Sequence, residues 1–134
     1  MTAENSRTQH ATTGTSLDEL RIALHHVIVA IAERELEQAL REQSRPPLGM
    51  YVQPSSAEKA AVQRAVRAIC GEARRLELRA EELIIGIKQA WSQLAPVRAS
   101  HLGDRDGDVL REVVSSSIEV FFEAQDASAR ELRD

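Results

Sequence analysis

The sequence predicts an all-α fold: a four-helix-bundle-like single domain behind a disordered N-terminal tail. Three observations carry this. Apolar residues recur at helical spacing in four segments. Two Ser-x-x-Glu sequences stand where helices would begin. Aromatic residues make up only 3% of a chain that is 43% hydrophobic, so the core must be built from Leu, Ile, Val and Ala. Strands are enriched in β-branched and aromatic residues, and aromatics are scarce here.

Residues 1–15 are rich in Thr, Ser, Gln and Asn without any period, and read as the tail. The helical domain is expected over residues 16–134. Ser16 and Glu19 can form a capping box, in which each side chain satisfies a free backbone N–H at a helix start. The first helix is expected over about 17–42. It should stop before Pro46, which lacks an N–H and restricts the residue ahead of it. Ser55 and Glu58 form a second capping box, opening a helix over about 56–76. A third helix is expected over about 80–94, ended by Pro96. The segment "VRASHLGDRDGD" reads as a loop, and the fourth helix is expected over about 108–129, with Asp108 as its N-cap.

At roughly 100° per residue, three of these helices each carry one apolar stripe. The second helix has Val62, Ala65, Val66, Ile69, Ala73 and Leu76; the third has Leu83, Ile84, Ile87, Ala90, Trp91 and Leu94. The fourth has Leu110, Val113, Val114, Ser117, Ile118 and Phe121. The first helix carries two. Leu17, Leu20, Leu24, Val27, Ile28 and Ile31 form one, assigned to the core. Ile22, Val29, Leu36 and Leu40 lie on another, and the seven-residue steps from Ile22 to Leu36 are those of a helix–helix seam. Two arrangements follow: central burial of the helix, or a homodimer interface through Ile22, Val29, Leu36 and Leu40. The homodimer is the preferred expectation.

The stretch "ICGEARRLELRAEELIIGIKQAW" has the framework of a helix-turn-helix: Ala73, Leu76, Leu78 and Leu83 at packing positions around a turn. Glu77 stands where a glycine would ease that turn. The second helix, however, begins with Ala80, Glu81 and Glu82, where a DNA reader presents donors to bases and phosphates. Acids suit the positive end of a helix dipole and repel phosphate. A helical hairpin that completes the core is the better reading.

The second helix also bears Arg64, Arg67, Arg74 and Arg75 away from its apolar stripe, a candidate anion-binding or partner-binding face. The bland alternative is a solvated face, or one opposed by Glu112, Glu119 and Glu123. From Ala57 to Ala80 the chain holds six basic and three acidic residues, and from Glu81 onward six basic and eleven acidic. No aromatics interleave with the arginines, so base stacking is not expected. The net charge of −4 argues against non-specific nucleic-acid binding.

Other patterns are weaker. Asp104, Asp106 and Asp108 alternate like the first ligands of a calcium loop, but Val109 replaces the required Gly and Ser115 the bidentate Glu. His25 and His26 are adjacent and point about 100° apart, so joint chelation is not expected. His26 and Glu33 could pair across a dimer seam. Cys70, the only cysteine, allows no intrachain disulfide and borders the apolar stripe, as an inert buried thiol would. The proline-bounded segment "PPLGMYVQP" offers Met50, Tyr51 and Val52 as a candidate docking segment, or as a crossover packed over the bundle end.

No nucleophile elbow, phosphate-binding loop or dinucleotide fingerprint occurs, so no catalytic residue, metal or cofactor is expected. There is no apolar run long enough for a membrane span and no signal-peptide h-region, which makes a soluble cytoplasmic protein the expectation. The function expected is that of a small regulatory or protein–protein interaction module without catalysis, with a protein partner and a homodimer. A helix-turn-helix-like DNA-binding transcription regulator using residues 62–94 is the alternative. A ligand-binding or catalytic bundle is the third.

Overall fold

A computed structural model describes residues 2–47, 49 and 52–133, with side chains over 17–47, 49 and 52–124. The chain is all-α. Its helices are α1 (Thr2–Arg41), α2 (Ser56–Arg75), α3 (Ala80–Gln93), α4 (Ala95–His101) and α5 (Asp106–Arg133), with one 3-10 turn at Gly103–Arg105. α1 packs against α2 and α3, and α5 packs against the same two helices. The four long helices thus form a bundle in which α1 and α5 occupy opposite corners. No helix among the described residues is long and apolar enough to cross a membrane.

α2 begins at the expected capping box. Ser55 Oγ accepts from the Glu58 amide at 3.1 Å, and Glu58 Oε1 accepts from the Ser55 amide at 3.1 Å. It ends in a Schellman motif: the Leu78 amide donates to the Ala73 carbonyl at 2.9 Å and the Glu77 amide to the Arg74 carbonyl at 3.0 Å. Glu77 is the αL residue of that motif, at φ 57°, so the turn that lacks a glycine is made by a glutamate in a left-handed conformation. α3 then starts with the Arg79 amide donating to Glu82 Oε1 at 3.0 Å.

Three boundaries differ from expectation. α1 runs on through Ser16 to Thr2, so Ser16 and Glu19 lie inside a helix rather than capping its start. Past its first turn a helix gains one backbone bond for each residue it fixes, so no capping residue is needed where it continues. Second, the stretch read as a loop is mostly helical. Pro96 both ends α3 and lies in the first turn of α4, where a missing N–H is harmless. Third, α5 starts at Asp106 rather than at Asp108.

The apolar stripes of α2 and α3 enter the core nearly as expected: Val62, Ala65, Val66, Ile69, Ala73, Leu83, Ile87, Ala90, Trp91 and Leu94 are all buried. On α5, Val113, Ser117 and Phe121 are buried while Ile118 is exposed. α1 reverses the expected assignment. Val29, Leu36 and Leu40 are 5%, 1% and 1% exposed, inside their own chain, whereas Leu17, Leu20 and Val27 are 67%, 54% and 41% exposed. The face proposed as a dimer interface is core, apart from Ile22, and three of the six residues assigned to the core are exposed.

The physical reason is continuity. Counting the alanines, Ile28, Val29, Ala32, Leu36, Ala39 and Leu40 form one unbroken face along the part of α1 that α2 and α3 cover. The competing stripe ends at Ile31, because Arg34, Glu35 and Gln38 take its next positions. Ala32 and Ala39 also let neighbouring helices come close. At Gly86 of α3 the approach is closer still: a Cβ there would lie 2.8 Å from Ile28 Cγ2.

Candidate functional site

Among the described residues, α1 carries a row of apolar side chains that includes three exposed ones, Leu17, Leu20 and Val27. Leu17, Leu20, Leu24, Val27 and Ile31 follow 3-4-3-4 steps, the spacing of a coiled-coil seam. Leu17, Leu20 and Val27 are exposed; Leu24 and Ile31 are half-buried. Ala23 and Ala30 run beside them, exposed and small. The polar side of the same half-helix is tied to α3. Arg21 Nη1 meets the Glu82 carboxylate at 2.9 Å, and His25 Nε2 lies 2.6 Å from Gln89 Oε1. These contacts fix the rotation of α1 and hold the Leu17–Ile31 face outward. Single exposed apolar residues are ordinary; here several share one helix face.

Two of the four arginines of α2 are engaged within the chain. Arg64 pairs with Glu42, just past the end of α1, at 3.3 Å. Arg75 pairs with Glu72, an acid at the edge of the same helix that a view of the arginine face alone overlooks. Arg67 is exposed and Arg74 half-buried. Between α1 and α2 lies a shallow groove of about 130 Å3, floored by Ala39, Ala61 and Ala65 and rimmed by Glu35, Gln38, Glu42 and Arg64. Ligand pockets of a few hundred Å3 are the norm, and the one cation on the rim is already paired.

At the α2–α3 turn the expected helix-turn-helix framework is present: Ala73, Leu78 and Leu83 are buried and Leu76 packs against them. The start of α3 is acidic, as the sequence indicates. Glu82 is occupied by Arg21 and by the Arg79 amide, and Glu81 is exposed. Ile85 is exposed on the outer face of α3.

Several of the remaining candidates have structural partners. Asp106 accepts from Trp91 Nε1 at 3.0 Å and also pairs with Arg98, which lies over the Trp91 ring. Asp108 sits 3.6 Å from Arg111. No group of three or more His, Cys, Asp or Glu among the described residues could hold a metal ion. Glu33 faces Gln93 of α3 within the chain, and His26 is exposed. Cys70 is buried; burial pushes its thiol up to about 11, and the thiol donates to the Ser117 carbonyl oxygen at 3.4 Å. Met50 and Tyr51 lie outside the described residues, and Val52 is exposed.

One constellation was invisible in the sequence. Arg105 is buried at the junction of the α1 and α2 ends with the 3-10 turn. Its Nη2 donates to Gln43 Oε1 at 2.9 Å and lies 3.6 Å from Glu58 Oε2. Gln43 Nε2 in turn donates to the carbonyl oxygens of Ala39 and Glu58. His101 Nδ1 is 3.1 Å from the Gln43 carbonyl oxygen, so that nitrogen carries the hydrogen. The members are up to 62 positions apart, and each alone looks like a surface residue. All of these contacts except the local Gln43–Ala39 bond link separate parts of the chain, which is the pattern of a clasp that closes the bundle end.

No protein-family model, curated protein or solved structure matches the chain.

Proposed function

We propose that this chain is a non-catalytic helical interaction module whose working surface is the Leu17–Ile31 face of α1. The single observation that carries the reading is the exposure of Leu17, Leu20 and Val27 on one heptad-spaced stripe. A helix whose opposite face is fully used by the core has no intrachain reason to keep that stripe apolar. Its natural ligand is the apolar face of another helix, recognised through i, i+3, i+7 anchors. Cys70, Asp106, Arg64 and Arg75 each have partners within the chain.

A photo-crosslinking residue placed at Leu20 or Val27, in the cells that make the protein, tests this. Discrete protein adducts are expected at both positions and not at Lys88, an exposed control on α3. Equal labelling at all three positions, or none at Leu20 and Val27, contradicts the proposal.

A further inference from the structure

We infer that α5 is a hinged cover: anchored at Arg105 and Asp106, it swings at Gly107 and uncovers α2 and α3 while α1, α2 and α3 stay folded. The inference is independent of the α1 surface above. α5 packs against α2 and α3. It seats there through a single row, Val109, Val113, Ser117 and Phe121, each buried and each one i, i+4 step from the next. The other long helices bury adjacent pairs: Ala39 and Leu40 on α1, Ala65 and Val66 on α2, Ala90 and Trp91 on α3. Among the described residues, α5 is thus the long helix held by the narrowest buried contact.

A polar residue interrupts that row. Ser117 is fully buried, and its Oγ has no hydrogen-bond partner. Desolvating a hydroxyl without pairing it works against closure, and opening returns it to water. Across from it lies Cys70 of α2, whose thiol donates to the Ser117 carbonyl oxygen at 3.4 Å. Gln63 Nε2 donates to Ser116 Oγ at 3.1 Å. On either side of the row Leu110, Val114 and Val120 are half-buried, and Ile118 and Phe122 are exposed. A segment with few buried apolar contacts opens locally at less cost than unfolding the whole chain.

The start of α5 is held differently. Arg105, just ahead of it, is bound by Gln43 and lies beside Glu58; Asp106 accepts from Trp91 Nε1 and pairs with Arg98. Gly107 follows these anchors directly. A Cβ added there would meet nothing within 4 Å, so no neighbour requires a glycine. Glycine also weakens a helix relative to alanine. Its position between the anchors and Val109, the first buried residue of the row, is that of a hinge: an element-terminal residue that absorbs a change in φ and ψ.

Hydrogen exchange and iodoacetamide labelling of Cys70, both on the folded full chain, test the cover. Cys70 is buried against Ser117, so it reacts when α5 lifts or when the whole chain unfolds. A lifted α5 loses the packing that supplies most helical stability, so its amides exchange as well. In the wild type, amides of residues 113–124 should exchange at least about tenfold faster than those of residues 28–40, after correction for intrinsic rates. Cys70 should react at least about tenfold faster than global unfolding allows, with a shallower dependence on urea. Phe121→Ala should speed the labelling. Val29→Ala, in the core of α1, should speed exchange of the α1 amides and leave the labelling rate unchanged, because α1 stays folded in the open state. Gly107→Ala should slow labelling roughly two- to fivefold. Equal protection of α5 and α1 in the wild type overturns the cover. So does a Val29→Ala variant that accelerates labelling as much as Phe121→Ala. Labelling unchanged by Gly107→Ala overturns Gly107 as the hinge.

Discussion

Arg105 donates from Nη2 to Gln43 Oε1 at 2.9 Å, and both side chains are buried. The pair joins the end of α1 to the 3-10 turn ahead of α5, and Glu58 brings the start of α2 into the same cluster. Removing the guanidinium would leave a buried amide oxygen and a largely buried carboxylate short of a donor. Arg105→Ala should therefore destabilise the fold by about 3 kcal/mol, with Arg105→Lys recovering part of the loss. Urea unfolding of the three proteins checks this; a change within ~0.5 kcal/mol would remove the clasp as a stabilising element.

Acid should loosen the same cluster. Burial raises the pKa of Glu58, but the amides of Ser44 and Ser55, the Ser55 hydroxyl and Arg105 together outweigh it and hold the carboxyl below the usual glutamate value. At Glu82 the Arg79 amide is the strongest influence and lowers the pKa. Burial opposes it, Arg21 assists it, and the net shift is again downward. A carboxyl whose folded pKa is depressed contributes stability that is full above its unfolded value, ~4.3, and is lost as the pH falls through the folded value. Stability should therefore drop as the pH is lowered below about 4.3. A Glu58→Gln, Glu82→Gln double variant should be less stable at neutral pH and lose less on acidification. Urea midpoints measured near neutrality and near pH ~3 decide it; parallel curves for the two proteins would contradict it.

Gly86 and Ile28 set the distance between α3 and α1. Gly86→Ala would gain helix propensity, about 1 kcal/mol, yet place a methyl 2.8 Å from Ile28 Cγ2. Because the contact is to a fully buried β-branched side chain, overpacking should win and leave a net destabilisation of about 1–2 kcal/mol. In the Ile28→Ala background the same change should become neutral or favourable. Thermal melts of the four proteins in that cycle measure the coupling, and strict additivity would count against the close approach.

Two positions should tolerate, or benefit from, replacement. Glu77 sits at φ 57°, where a Cβ is unfavourable, so Glu77→Gly should raise stability by about 1 kcal/mol. Ser117 Oγ is buried without a hydrogen-bond partner, and Ser117→Ala should be neutral or stabilising by up to ~1 kcal/mol. A fall in melting temperature for either variant would show a native role for the side chain.

How much of this was legible depended on how many faces each helix uses. α2 and α3 each bury one stripe, so Val66, Ile69, Leu83 and Ile87 could be assigned to the core from spacing alone. α1 offers two stripes of similar apolarity. Only the burial of Ala32 and Ala39, small residues that weigh little in a hydrophobic pattern, identifies which one faces inward. The capping box at Ser55 and Glu58 was local and readable; the one at Ser16 and Glu19 had the same residues but no chain break before it. α4 has seven residues and none fully buried, so it carries no stripe to detect. Arg105, Gln43 and Glu58 meet only through tertiary structure.

The central claim is that α1 turns its Leu36 face inward and its Leu20 face outward. Equilibrium urea unfolding of Leu36→Glu and Leu20→Glu, at concentrations low enough for a monomeric chain, tests it most directly. Leu36→Glu should destabilise by more than ~4 kcal/mol or fail to fold, because it buries an unpaired carboxylate. Leu20→Glu should stay within ~0.5 kcal/mol of the wild type. The reverse order, or equal losses at the two positions, would contradict the arrangement of α1 on which the proposed surface depends.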